Sequence, residues 1–183
     1  MKNTIVVNLF GAPGAGKSTG AAYIFALLKM SGVDAELVTE FAKDKVWEEN
    51  PAPFKNQAYM FGKQSYKIGR CAGKVDVIVT DSPLPLSIYY NNEERLTDNF
   101  DRTVMDVFGS YLNMNYLLTR VKPYNPNGRH QTESESDQVA KELQELLHEQ
   151  GIPYVLKNGE KDGYDEIVLD VINMLSKLGM LKD

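Results

Sequence analysis

The chain is poor in several things, and each shortage removes a class of function. Its one cysteine, Cys71, leaves no internal disulfide to form and fits a reducing compartment. Its two histidines, His130 and His148, stand apart without metal-ligand spacing and read as surface residues. No apolar run approaches the ~20 residues that cross a bilayer. The first one, residues 4–10, stops at a glycine turn and reads as a core strand and not as a signal peptide. Positive charge is also short: 20 Lys and Arg against 25 Asp and Glu leave a net charge of −5. That balance argues against a generic nucleic-acid binder. The expected setting is the cytoplasm, with no membrane or nucleic-acid partner, and a homodimer is compatible with the composition. No repeat, low-complexity tract or interdomain linker interrupts the chain.

What is present is ordinary globular material: 183 residues, 43% hydrophobic and 25% charged. That is enough for one domain over residues 1–183 and too short for two. Within it, the apolar, β-branched run at residues 4–10 breaks into Gly11, Ala12, Pro13, Gly14, Ala15, Gly16, Lys17, Ser18 and Thr19. Gly11, Gly16, Lys17 and Ser18 fit G-x-x-x-x-G-K-[ST], the phosphate-binding P-loop. Glycines let backbone N–H groups approach a phosphate closely, and the helix that starts near Lys17 adds its positive end. Lys17 is placed to reach the β- and γ-phosphates and the Ser18 hydroxyl to ligate Mg²⁺. A strand before the motif and a helical pattern after it make this a nucleotide-phosphate site.

Periodicity supplies the rest of the plan. Helices are expected over residues 18–30, closed by Gly32, and over 41–49, stopped by Pro51 and Pro53. Another covers 54–72 despite Gly62, on a stripe of Phe54, Ala58, Phe61, Ser65 and Ile68. Further ones are expected over 84–90 and 100–112. Thr132 and Glu135 form a T-x-x-E capping box for a helix to about 150. It buries Val139, Leu143, Leu146 and Leu147, and a closing helix covers 164–178. Strands fall at 4–10, 35–39, 75–80, 116–119 and 154–156, with Asn158-Gly159 a turn. Five strands separated by helices predict an α/β fold, a parallel sheet covered on both faces. In such sheets ligands bind beyond the carboxyl ends of the strands.

That rule ranks the polar residues. Asp81 ends a buried apolar strand, where a carboxylate can hold Mg²⁺ directly or through water or, like Glu40, orient or deprotonate an acceptor hydroxyl; the competing reading of Asp81-Ser82-Pro83 is a helix cap. Glu40 ends the second strand, with Asp44 one turn on, and could take a proton from a substrate hydroxyl or bind a sugar. The segment 120–132 gathers Arg120, Lys122 and Arg129 in an acidic chain and is expected to act as a lid whose guanidiniums meet charge on a transferred group. Phe41, Trp47, Tyr59, Phe61 and Tyr66 lie between the second and third strands; most are expected in the core.

Taken together, GAPGAGKST, VTEFAKDKVWEE, TDSPLPLS and RVKPYNPNGRHQTE resemble P-loop kinases of the NadR ribosylnicotinamide-kinase type, a group with many small phage proteins labelled only as AAA ATPases. The likeness spans roughly residues 3–157. It implies a three-layer P-loop fold with strand order 2-3-1-4-5 and a role in nucleotide metabolism. It also implies ATP phosphates on Gly14, Gly16, Lys17, Ser18 and Thr19, with Glu40 at the acceptor, Asp81 near Mg²⁺, and Arg120 with Arg129 in the lid. The adenylyltransferase domain that precedes the kinase in NadR has no counterpart here, so the resemblance does not carry the acceptor with it.

The leading expectation is an enzyme that moves the γ-phosphoryl group of ATP, with Mg²⁺, to a nucleoside or nucleotide. Two alternatives stand beside it. An ATPase switch of the ring-forming kind needs a further helical domain for which 183 residues leave no room. A kinase for DNA ends or modified bases would find little backbone affinity at this net charge.

Overall fold

Every residue of β1 (Ile5–Phe10) is buried, so the strand needs cover on both sides, and the chain provides it. The computed structural model describes residues 3–121 and 132–181. Strands β1, β2 (Ala35–Val38), β3 (Val77–Thr80), β4 (Leu112–Thr119) and β5 (Val155–Asn158) form one sheet. All four pairings are parallel and the order is β2-β3-β1-β4-β5, the arrangement of P-loop kinase folds.

The pleat divides β1 between two cores. Ile5, Val7 and Leu9 pack with α1 (Lys17–Met30) and α7 (Lys161–Lys177) through Ile24, Leu28, Ile167 and Val171. Val6 and Phe10 face α3 (Gln57–Gly69), α5 (Asp98–Gly109) and α6 (Glu133–Glu149), meeting Ile68, Val104, Phe108 and Leu147. Two short helices, α2 (Phe41–Trp47) and α4 (Leu86–Tyr89), follow β2 and β3. Each fully buried aliphatic or aromatic side chain contributes roughly 1.5–3 kcal/mol, so these faces hold the layers together more than helix propensity does.

The capping box at Thr132 and Glu135 forms as its sequence predicts, with both reciprocal hydrogen bonds present. Two expectations need correction. The fourth strand is eight residues long and begins at Leu112, where a helix is expected. Asn113 and Asn115 hide it, because buried strands rarely carry amides. Here they are paired: the Asn8 amide nitrogen lies 2.9 Å from Asn113 Oδ1 and 3.0 Å from Asn115 Oδ1. Asn113 donates to Phe108 O at 2.7 Å and Asn115 to Pro153 O at 3.0 Å.

The expected helix over 54–72 is instead a 3₁₀ turn (Ala52–Lys55) followed by α3, which Asn56 caps by accepting from Tyr59 N at 3.0 Å. Its buried stripe is Gln57, Met60, Gln64 and Ile68, one position round from the expected one. Apolar periodicity could not show this, since two of the four are glutamines. Gly62 looks outward: a methyl there would meet nothing within 4 Å. Gly62→Ala should therefore stabilise the fold by about 0.5–1 kcal/mol through helix propensity, read from the shift of a denaturant midpoint at constant slope.

Candidate active site at the carboxyl ends of the strands

Past Phe10 the chain turns through Gly11, Gly14 and Gly16, at φ 149°, 85° and 90°. Gly16 is the N-cap of α1, with no side-chain cap and no acid in the first turn. The first bond of the helix runs from Gly20 N to Gly16 O at 2.8 Å, so the amides ahead of it lack intrahelical acceptors. An uncapped helix start of this kind can take an anion. Lys17 folds back over the bend, its Nζ donating to Gly11 O at 2.5 Å and reaching Ala12 O at 3.3 Å.

The bend rests on backbone. A methyl on Gly159 would come within 1.9 Å of Ala15 O, and one on Gly16 within 2.6 Å of Gly159 O. Tyr164 of α7 lies across the same place, its hydroxyl 2.7 Å from Gly159 O and 3.0 Å from Gly16 O, one proton serving both carbonyls. From the other side the buried Ser136 of α6 donates to Pro13 O at 2.7 Å.

Asp81 is 4% exposed and does cap a helix, but not the one that follows it. Its Oδ1 accepts from Glu40 N at 3.0 Å, at the start of α2, so the end of β3 is tied to the end of β2. Gln64 adds a second tie by accepting from Phe41 N at 3.0 Å. Burial pushes the Glu40 carboxyl above its ordinary range; Lys17 opposes the shift and Asp81 adds to it. Lys17, Glu40 and Asp81 are thus brought within electrostatic reach of one another. Tyr90, half exposed, joins them: burial raises its hydroxyl, and the charge of Glu40 raises it further.

Ser18 is exposed in the first turn of α1. Its hydroxyl and the Asp81 carboxylate are hard oxygen donors suited to Mg²⁺. The described residues contain no cluster of three or more His, Cys, Asp or Glu, and Mg²⁺ on one or two protein oxygens draws the rest of its shell from phosphates and water.

Arg120 lies at the end of β4 with its Nη2 at 2.6 Å from Asp137 and 3.1 Å from Glu133, both on α6. Lys122 and Arg129, with most of the expected lid, lie outside the described residues. Asp44 turns to solvent and lies 3.8 Å from Lys67. The aromatics also depart from expectation: Trp47 is 78% exposed because α2 fully buries none of its side chains, and Tyr66 is 70% exposed because it lies off the buried stripe of α3. Phe41 does meet Tyr59 edge-on at 5.8 Å. Nothing in the sequence pattern marks Tyr90, Ser136 or Tyr164, and the one sign of Gln64 is its helical register with Ile68.

A family model described as an AAA domain matches residues 6–162. No curated protein matches the chain in sequence. Among solved structures, it resembles the YorR protein of Bacillus subtilis, solved in complex with phosphorylated GDP, at 16% identity and a TM-score of 0.61 over 97% of this chain and 99% of that one. It also resembles thymidylate kinase from Ehrlichia chaffeensis, at 13% identity and a TM-score of 0.56 over 94% and 99%. At these identities the likeness is one of fold.

Because Tyr164 serves two backbone carbonyls beneath the bend, Tyr164→Phe should cost about 1–3 kcal/mol. Equilibrium denaturation would show it, and a loss below a few tenths would mean the hydroxyl carries no structural load.

Proposed function

The chain belongs to the AAA domain family, and from that premise we propose that it is a kinase transferring the γ-phosphoryl group of ATP, with Mg²⁺, to a small nucleoside or nucleotide. One observation supports this above the others. Lys17, Glu40 and Asp81 follow three strands adjacent in the sheet, and Glu40 responds to the charges of both others. An ammonium, a base and a metal-binding acid at one end of a parallel sheet are what phosphoryl transfer requires.

In this reading the main chain of residues 11–16 and the amides of Lys17, Ser18 and Thr19 hold the phosphates. Lys17 exchanges the carbonyls of Gly11 and Ala12 for phosphate oxygens. Ser18 and Asp81 would hold Mg²⁺, which would supply charge neutralisation on the phosphates. Glu40 accepts the proton of the acceptor hydroxyl as its oxygen bonds to the γ-phosphorus and the bond to the β-phosphate oxygen breaks. Arg120 must leave Asp137 and Glu133 before it can face the transferred group; until then it ties β4 to α6. The solved neighbours named for phosphorylated GDP and for thymidylate kinase favour a nucleotide acceptor. The NadR-type motifs keep ribosylnicotinamide on the panel.

The test is a screen of nucleosides, nucleotides and ribosylnicotinamide with ATP and Mg²⁺, reading acceptor-dependent ADP release and product mass. Release without any acceptor would point to an ATPase switch. Inhibition by DNA that fades with salt would point to a DNA-directed kinase. Lys17→Ala should lower turnover by at least ~10²-fold with an unchanged circular dichroism spectrum. Glu40→Gln should lower kcat by about 10²–10⁴-fold and leave the ATP Kd in place.

The pH dependence has a definite sign. Burial favours the neutral carboxyl, so ionised Glu40 accumulates only as pH rises through its raised value. The acid limb of kcat should sit above the ~4.3 of an ordinary glutamate and vanish in Glu40→Gln.

A further inference from the structure

Gln64 takes no part in the mechanism above, yet it occupies an unusual place. It sits on α3 with 5% of its surface exposed, where an amide left unpaired would be costly. Both ends of its side chain are used. Oε1 accepts from Phe41 N at 3.0 Å, and Nε2 points to Thr80 Oγ1 at 3.5 Å. Thr80 is fully buried, and its Oγ1 accepts in turn from Ser82 N at 3.1 Å. One side chain thereby joins the residue after Glu40 to the residue before Asp81.

We propose that Gln64 is a positioning residue which, with the Asp81 carboxylate, fixes the angle at which Glu40 enters the site. This rests on the kinase reading for its catalytic consequence, but not for its geometry. The need for it follows from α2, which fully buries no side chain and packs only through half-buried residues such as Phe41 against Tyr59, a shallow contact for setting its orientation. A single hydrogen bond, Glu40 N to Asp81 Oδ1, would act as a pivot. A second bond at the next amide, made from a different element, stops rotation about the first. Lys67, also on α3, donates to Thr39 O at 2.6 Å and steadies the approach to the same turn. Glu40 feels Lys17 of α1, Asp81 after β3, Lys43 of α2, Lys67 of α3 and Tyr90 after α4, so a small rotation changes its electrostatic surroundings as well as its aim.

Two variants test this. Gln64→Met keeps the length and removes both hydrogen bonds; Gln64→Glu keeps an acceptor for Phe41 N. With the acceptor that wild type uses in the panel above, Gln64→Met should lower kcat by about 10–100-fold, leave KM for ATP within about twofold, and displace the acid limb of kcat. Gln64→Glu should recover kcat to within about fivefold of wild type. Independently of activity, amide exchange at Phe41 followed by NMR should accelerate by at least ~10-fold in Gln64→Met and not in Gln64→Glu.

Unchanged exchange at Phe41 would overturn the positioning role. So would a Gln64→Met protein that loses thermal stability but keeps kcat and its pH profile, since Gln64 would then be a core residue only. A wild type without acceptor-dependent ADP release would instead remove the kinase reading, and the exchange experiment would still decide the place of Gln64. Should Gln64→Met not fold, Gln64→Glu decides: protected Phe41 and near-native kcat support the role, and fast exchange with the acceptor retained overturns it.

Discussion

The glycine bend depends on a close approach between two stretches of backbone. The β5–α7 turn at Gly159 lies against the carbonyl of Ala15, at a separation that leaves no room for a β-carbon on either Gly159 or Gly16. The shape of the glycine bend is therefore set from beneath by a turn from the far edge of the sheet, not only by the residues of the motif. Tyr164 closes the arrangement, and a β-carbon on Gly20 would be 2.5 Å from its ring. With Ser136 gripping Pro13 O from α6, the loop is held by elements that flank both faces of the sheet. Such pre-organisation matters because electrostatic stabilisation of a moving phosphoryl group works best when its donors need not rearrange.

The acidic half of the site is built differently. Glu40 begins a helix without a buried side chain, and hydrogen bonds to neighbouring elements take the place of packing. Burial of the carboxyl raises its proton affinity while Lys17 limits the rise. These opposing effects leave Glu40 more basic than an ordinary carboxylate, a condition suited to taking up a proton. Asp81 serves this end as well, since the oxygen that caps α2 fixes where its other oxygen stands.

Much of this could be read before any coordinates were considered. The parallel strands, the two-sided cover and the glycine bend follow from apolar runs and from one motif whose glycines are required by geometry, while the strand order follows from the family resemblance. Glu40 and Asp81 stand out as candidates by their position after strands. Residues whose importance lies in polarity at a buried place stayed hidden. Gln57 and Gln64 shifted the expected face of α3, and Asn113 with Asn115 masked half of β4, because hydrophobic patterning treats a satisfied amide as a surface residue. Capping was legible where donor and acceptor are close in sequence, as for Thr132 and Glu135. It was not legible where the partner comes from another strand, as when Asp81 caps α2 across 41 positions of chain. Trp47 and Tyr66 fail for the converse reason, since large aromatics imply a core: α2 fully buries no side chain, and on α3 the glutamines take the buried stripe that leaves Tyr66 outside.

The three asparagines between β1 and β4 have a consequence for how the sequence can drift. Asn8 offers its two amide hydrogens to side-chain oxygens on the neighbouring strand, Asn113 donates to Phe108 O in the last turn of α5, and Asn115 donates to Pro153 O ahead of β5. Replacing one member by an apolar residue orphans the others, whereas replacing all of them together leaves a dry interface that can close. Substitution at these positions is therefore expected to be concerted, with single changes selected against although each residue lies far from any reacting atom.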